Sequence, residues 1–209
     1  MDNTITGLDA KTFAESYLED LSRITERLDV RSIAEFVQVL IEANKLDSNI
    51  FFIGNGGSAA TASHFANDIS FGHHSSLMRP FRAVSLTDNA AVVTALANDF
   101  SYDEIFVRQL AVQMVRGDVV VAISASGNSP NIVRAVEYAN ANGGVTVGLT
   151  GFDGGHLRKI AKLSVHVPTE KGNYGHTEDI HMIIDHLISA YILKICEAKT
   201  NKNIRGESA

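Results

Sequence analysis

Apolar residues recur along this chain in two rhythms. Between Thr12 and about Lys45 they fall at three- and four-residue steps, first Phe13, Tyr17, Leu18 and Leu21, then Ile33, Phe36, Val37, Leu40 and Ile41. That spacing predicts two amphipathic helices. From Asn49 the texture changes to short, continuous apolar runs: Asn49–Gly54, Ala83–Leu86, Val119–Ile123, Val145–Leu149 and Leu163–Val167. Helical patterns lie between them, over Ser58–Ser70, Asn89–Ala97, Pro130–Ala141 and Gly155–Ala161. Strands apolar on both faces, alternating with helices, predict an α/β fold with a central parallel sheet between two helical layers. The last pattern, Glu178 to about Lys199, carries Ile180, Ile183, Ile184, Leu187, Ile188, Tyr191, Ile192 and Ile195. This is wider than one stripe, so the helix belongs in a core or a subunit interface. The reading gives one domain over 1–199, with the N-terminal helices as an extension, and a polar, frayed tail over 200–209.

Composition narrows the partners. The chain has 209 residues and a formal charge of −6, a poor match for nucleic-acid backbone. Its single cysteine, Cys196, cannot form an internal disulfide, which fits a reducing cytoplasm. No apolar run approaches a membrane span, and the acidic N-terminus resembles neither a signal nor a transit peptide. Cytoplasmic location, with no membrane and no nucleic-acid partner, is the expectation.

The 16 glycines are ordinary in number; their placement is informative. In an open parallel sheet, ligands bind beyond the carboxyl ends of the strands. One such end reads Gly54-Asn55-Gly56-Gly57-Ser58, where the backbone can turn tightly at a helix start and Ser58 is spaced to cap it. Helix-start amides favour an anion. A second reads Ser124-Ala125-Ser126-Gly127-Asn128-Ser129-Pro130, three hydroxyls at a strand-to-helix turn, with Pro130 suited to the first helical turn. Hydroxyls and amides without Lys or Arg suit a small phosphate monoester. The first loop is neither a Walker loop nor a dinucleotide fingerprint, lacking Gly-Lys-Ser/Thr and a spaced third glycine. Either loop alone is equally a tight turn capping a helix.

Ionisable side chains gather in two places. His64 and Asp68 lie four apart on the helix after the glycine loop and share a face. Glu178, Asp179, His181, Asp185 and His186 crowd the last helix. Asp179 and His186 share a face, Glu178 lies about 80° from His186 around the helix, and His181 and Asp185 are spaced as an ordinary i,i+4 pair. His73 and His74 read as structural or solvated.

Together, Gly54–Ser58, Ser124–Ser129 and Leu149-Thr-Gly-Phe-Asp-Gly-Gly155 resemble the signature loops of the sugar isomerase (SIS) domain family, in particular the bacterial phosphoheptose isomerases. The likeness runs in order from the N-terminal helices to about residue 196. It implies a flavodoxin-like three-layer SIS fold and an isomerase interconverting sedoheptulose 7-phosphate and a manno-heptose 7-phosphate through an enediol. It assigns phosphate contacts to Ser124, Ser126 and Ser129, with Ala125 and Ser58 beside them, and sugar contacts to Asn55, Gly56, Gly57, Asn98 and Asp99. It implies a catalytic and zinc-binding set of His64, Asp68, Glu178 and His186, the metal being zinc or another divalent ion. His186 would donate a proton to the substrate oxygen, and Asp68 or Glu178 would take one from carbon. Two of these depart from the family: Asp68 stands for a glutamate and Glu178 for a glutamine. The segment Ser70–Ser76 also lacks a basic residue that relatives carry close by, for which Arg79, Arg82 or Lys171 could substitute, including from a neighbouring subunit. The resemblance further implies a homotetramer with sites at subunit interfaces. Isomerisation of another ketose phosphate, or a non-catalytic SIS protein binding a regulator or sensing a sugar phosphate, are the alternatives; the ionisable set argues for an enzyme.

Overall fold

The computed structural model describes residues 9–72 and 79–204, with backbone only over 198–204. His73 and His74 lie outside the described residues. Two helices, α1 (Ala10–Thr25) and α2 (Val30–Lys45), open the chain, each started by an aspartate, Asp9 or Asp29, whose carboxylate accepts a first-turn amide. Then follow β1 (Asn49–Gly54), α3 (Gly57–Phe71), β2 (Arg82–Ser85), α4 (Ala90–Asp99), a 3₁₀ turn over Tyr102–Glu104, α5 (Ile105–Gln113), β3 (Val119–Ser124), α6 (Pro130–Ala141), β4 (Val145–Thr150), α7 (Leu157–Ile160), β5 (Leu163–His166) and α8 (Tyr174–Ile204).

All five strands run parallel in the order β2-β1-β3-β4-β5. Their runs are apolar because both faces are covered; every residue of β3 is buried. On one face Phe52, Val121, Ile123 and Leu149 pack against α2, α3 and α8 through Phe36, Leu40, Phe65, Ile180 and Ile184. On the other, Ile53, Val120 and Ala122 meet α5, α6 and α7 through Phe106, Leu110, Val136 and Leu157. This is the expected three-layer α/β sandwich. The strand order reverses direction between β1 and β3, the crevice where flavodoxin-like folds take their ligands.

Helix α8 differs from expectation at both ends. It starts four residues earlier than Glu178 and continues to Ile204, into the segment read as a tail. Thr, Asn and Lys cost only a few tenths of a kcal/mol each relative to alanine, and the first strong breaker downstream is Gly206. Its wide apolar surface divides in two. Ile180, Ile184, Ile188, Ile192 and Cys196 are buried in the core, whereas Ile183, Leu187 and Tyr191 are 38–48% exposed. Leu187 and Tyr191 line an apolar groove with Val30, Ile33 and Val37 of α2.

One buried group on α8 sets a pH dependence. His181 is fully buried and neither ring nitrogen has a hydrogen-bond partner among the described residues. Burial pushes its pKa down to about 4, against the nearby Thr150 backbone, which opposes the shift without a well-formed bond. Below an unfolded pKa of about 6.5 the unfolded chain takes up a proton that the native state refuses. Stability should therefore fall as pH drops from about 6.5 to about 4. In urea titrations across that window His181→Leu should show a shallower decline; an unchanged slope would place the effect elsewhere.

Candidate active site

Two loops meet at the switch point. After β1, Gly56 adopts φ +55 and caps α3 without a side-chain bond. Ser58 is therefore not the cap its spacing suggested. It is buried at the second position of α3 and faces the serine loop. After β3, Ser124 and Ser126 each accept a backbone amide with their hydroxyls, from Gly127 at 3.1 Å and Asn128 at 3.3 Å. Ser129 caps α6 by backbone alone, with Pro130 in the first turn, so its hydroxyl is not spent on the helix.

A cavity of about 160 Å³ lies between these loops, lined by Asn55, Ser58, Ser124, Ala125, Ser126, Ser129, Tyr174 and Glu178. Asn55 is fixed in its wall by a reciprocal amide pair with Asn131, 2.9 Å in each direction, and by the Tyr102 hydroxyl donating to its Oδ1 at 2.9 Å. The third glycine segment braces this site from behind. Gly151 donates its amide to the Ala125 carbonyl and Leu157 donates to that of Gly127, both at 2.9 Å. Phe152, itself at φ +55, stacks edge-on against Tyr174.

The last helix reaches the cavity because α1 clamps its first turns. The Tyr17 hydroxyl donates to Asp179 at 2.5 Å while its ring stacks on His176. The hydrogen bond to Asp179 pushes the Tyr17 pKa up to about 12. One residue before Asp179, the Glu178 carboxylate lies against Gly57, in the space a Cβ there would occupy.

Further along, α3 and α8 bring together His64, Asp68, Asp185 and His186, whose ligand atoms all lie within 4.8 Å of one another. His64 Nδ1 is 2.8 Å from Asp185 and 3.7 Å from Asp68. Burial pushes the Asp185 carboxyl up, opposed by the hydrogen bond from His64. Asp68 and His186 also line a common hollow of about 260 Å³ with Ser189 and Ala190. Two imidazoles and two carboxylates form a donor set suited to zinc or a similar divalent ion.

Three of the four residues expected at a metal are thus gathered, and Glu178 is not among them. Residues 178 and 186 are eight apart, about 12 Å along a helix axis. Sharing an angular sector does not bring two side chains to one ion unless they stretch toward each other, and Glu178 turns to Gly57 instead. Asp185, spaced to pair with His181, bonds His64 and Ser189. Asn98 and Asp99 are exposed at the end of α4 and bond each other at 2.9 Å. Arg82 is placed at the amino end of β2, opposite the site, and is engaged by Asn49 and Asp47. Asn131, Tyr102 and Tyr174 were not singled out from sequence. Only Tyr102 had a signal, its place three residues after the expected sugar contact Asp99.

The SIS domain family matches residues 12–151, from the first helix through the end of β4. The chain belongs to the SIS domain family. Within it the similarity is to phosphoheptose isomerases. The chain is 35% identical over 179 residues to a probable phosphoheptose isomerase of Thermoplasma acidophilum, covering 86% of this chain and 97% of that one. It is 40% identical over 177 residues to the phosphoheptose isomerase of Geobacter metallireducens, covering 83% and 93%. The structure of a phosphoheptose isomerase from Francisella tularensis superposes with a TM-score of 0.82 at 26% identity, over 90% of this chain and all of that one. The family match takes in the glycine and serine loops, His64 and Asp68 of this SIS-domain protein, while Glu178, Asp185 and His186 lie beyond it.

Proposed function

We propose that this protein is a phosphoheptose isomerase, interconverting sedoheptulose 7-phosphate and D-glycero-D-manno-heptose 7-phosphate. The observation that carries the reading is the course of α8. One helix presents Glu178 to the serine-loop cavity and, two turns on, sets His186 beside Asp68 and His64. The relatives named as phosphoheptose isomerases support the substrate.

In this reading the phosphate sits on the hydroxyls of Ser124, Ser126 and Ser129 and the amides opening α3, as a small anion held by neutral donors. Asn55, Gly56, Gly57, Asn98 and Asp99 supply sugar contacts. A cavity of about 160 Å³ is smaller than pockets that enclose a whole small molecule, roughly 300–1,000 Å³. The sugar chain therefore runs out past Glu178, which accepts from its hydroxyls. The reacting carbons belong with Asp68 and His186, which share one hollow: Asp68 takes the proton from carbon and His186 exchanges one with the adjacent oxygen.

His64, Asp68 and His186 would hold zinc or another divalent ion, which when bound polarises the substrate oxygens. Asp68 has a second carboxylate oxygen and His186 a second ring nitrogen, so each has an atom left for proton transfer.

We take the working form to be a cytoplasmic homotetramer in which neighbouring subunits complete each site. The exposed stripe of Ile183, Leu187 and Tyr191 supports assembly through α8. Leu187→Glu with Tyr191→Glu should dissociate the protein on size-exclusion chromatography and abolish turnover; a fully active monomer would refute shared sites. The substrate is tested by turnover and solvent-proton exchange across a panel of ketose phosphates, with zinc and with chelator. Exchange on the seven-carbon substrate alone is the expected result. No exchange on any sugar would favour a non-catalytic sensor.

A further inference from the structure

We propose that Asp185 is a positioning residue: its buried carboxylate accepts the Nδ1 proton of His64, fixing that tautomer and leaving Nε2, with its lone pair, as the nitrogen available to a metal. The inference rests on the metal reading above and goes beyond it by separating Asp185 from the ligands it sits among.

Four side chains offer ligand atoms in this cluster, yet their situations differ. The Asp185 side chain has no solvent exposure, and both its oxygens are engaged: Oδ2 with His64 Nδ1 at 2.8 Å, Oδ1 with the Ser189 hydroxyl at 3.3 Å. Asp68 is 26% exposed, stands 3.7 Å from the same Nδ1, beyond hydrogen-bond length, and faces the hollow it shares with His186. A buried carboxylate needs a charge-compatible donor, and the imidazole Nδ1–H supplies one.

The pairing follows from helix register. Helices α3 and α8 pack side by side in parallel, with Gly57 against Glu178 and, seven residues on in both, His64 against Asp185. Two turns of helix thus carry one contact into the next. A metal-bound histidine is ordinarily oriented in this way, its remote N–H given to a carboxylate that fixes the ring and raises its basicity; loss of that carboxylate costs about 10–100-fold in metal affinity.

The test compares full-length wild type with Asp185→Ala and Asp185→Asn, the second retaining an acceptor oxygen at nearly constant volume. In the metal-free protein, ring ¹⁵N shifts should find the His64 proton on Nδ1 in wild type and displaced to Nε2 in D185A. Zinc and cobalt affinities, from competition with a chromophoric chelator, should weaken about 10–100-fold in D185A and less in D185N. The cobalt absorption bands should keep one pattern in all three, because the ligand set is unchanged. A wild-type proton on Nε2, unaltered affinity in D185A, or a changed cobalt spectrum in D185N would each overturn the proposal, the last by making Asp185 a ligand. Failure of the wild type to bind either ion would overturn the metal reading as well, whereas failures confined to the variants leave that reading standing.

Discussion

Asp68→Asn is expected to lower kcat by about 10²–10⁴-fold, the usual contribution of a positioned general base, while KM changes little. The amide keeps the shape of the side chain and removes its capacity to take a proton; because Asp68 is also a proposed ligand, kcat is compared at matched metal content. With the phosphate at the serine loop, as proposed, and Asp68 lining a different hollow, ground-state binding should survive, and a loss confined to kcat would mark an interaction made in the transition state. Folding should be spared, since Asp68 is partly exposed and its contacts to His64 and Asn67 are long, 3.7 and 3.4 Å. Asp68→Glu should retain much of the activity, because it keeps a carboxylate at the same position. Glu178→Gln should mainly raise KM, Glu178 lying in the cavity wall. If the kinetic signatures came out reversed, with kcat lost at Glu178, the two carboxylates would have exchanged jobs. If Asp68→Ala and Glu178→Ala both kept near-wild-type turnover, neither would be the base.

The contrast between these carboxylates also marks where sequence reasoning stops. Strand β1 and helix α6 were readable to the residue because their ends carry strong signals: Gly54 in one, Pro130 in the other. Helix α5 went unread although Ile105, Phe106 and Leu110 are all buried; its nine residues follow a 3₁₀ turn and offer too few repeats for a period to stand out. The glycine and serine loops were both visible because they require particular residue types at a particular strand end. The cluster of His64, Asp68, Asp185 and His186 was only partly visible. Periodicity gives the angle of a side chain around its helix and says nothing of which turn meets a neighbour, so Glu178 and His186 looked equivalent. The register of α3 against α8 separates them and brings in Asp185, whose local spacing pointed to His181 instead.

Gly127→Ala is the substitution with the largest expected effect on the fold of the site itself. Gly127 adopts φ +63, which costs an L-residue about 1–2 kcal/mol. The added methyl would also collide with the carbonyl oxygen of Gly154, and neither loop has room to yield. Gly127 donates its amide to Ser124 and accepts from Leu157, while Gly151 and Gly154 are tied by their own turn and by the Ala125 carbonyl. Overpacking of this kind adds about 1–3 kcal/mol, giving a total of about 2–5 kcal/mol, or a fall in Tm of at least about 4 °C for a chain of this size. Gly172→Ala separates the two contributions. Gly172 also has positive φ, at +92, but nothing lies within 4 Å of the added carbon, so it should show the backbone cost alone. Equal losses from the two variants would mean that the 151–155 loop does not brace the serine loop. A larger loss at Gly127, with weaker inorganic phosphate binding in the fraction that folds, would tie that brace to the three hydroxyls it holds in place.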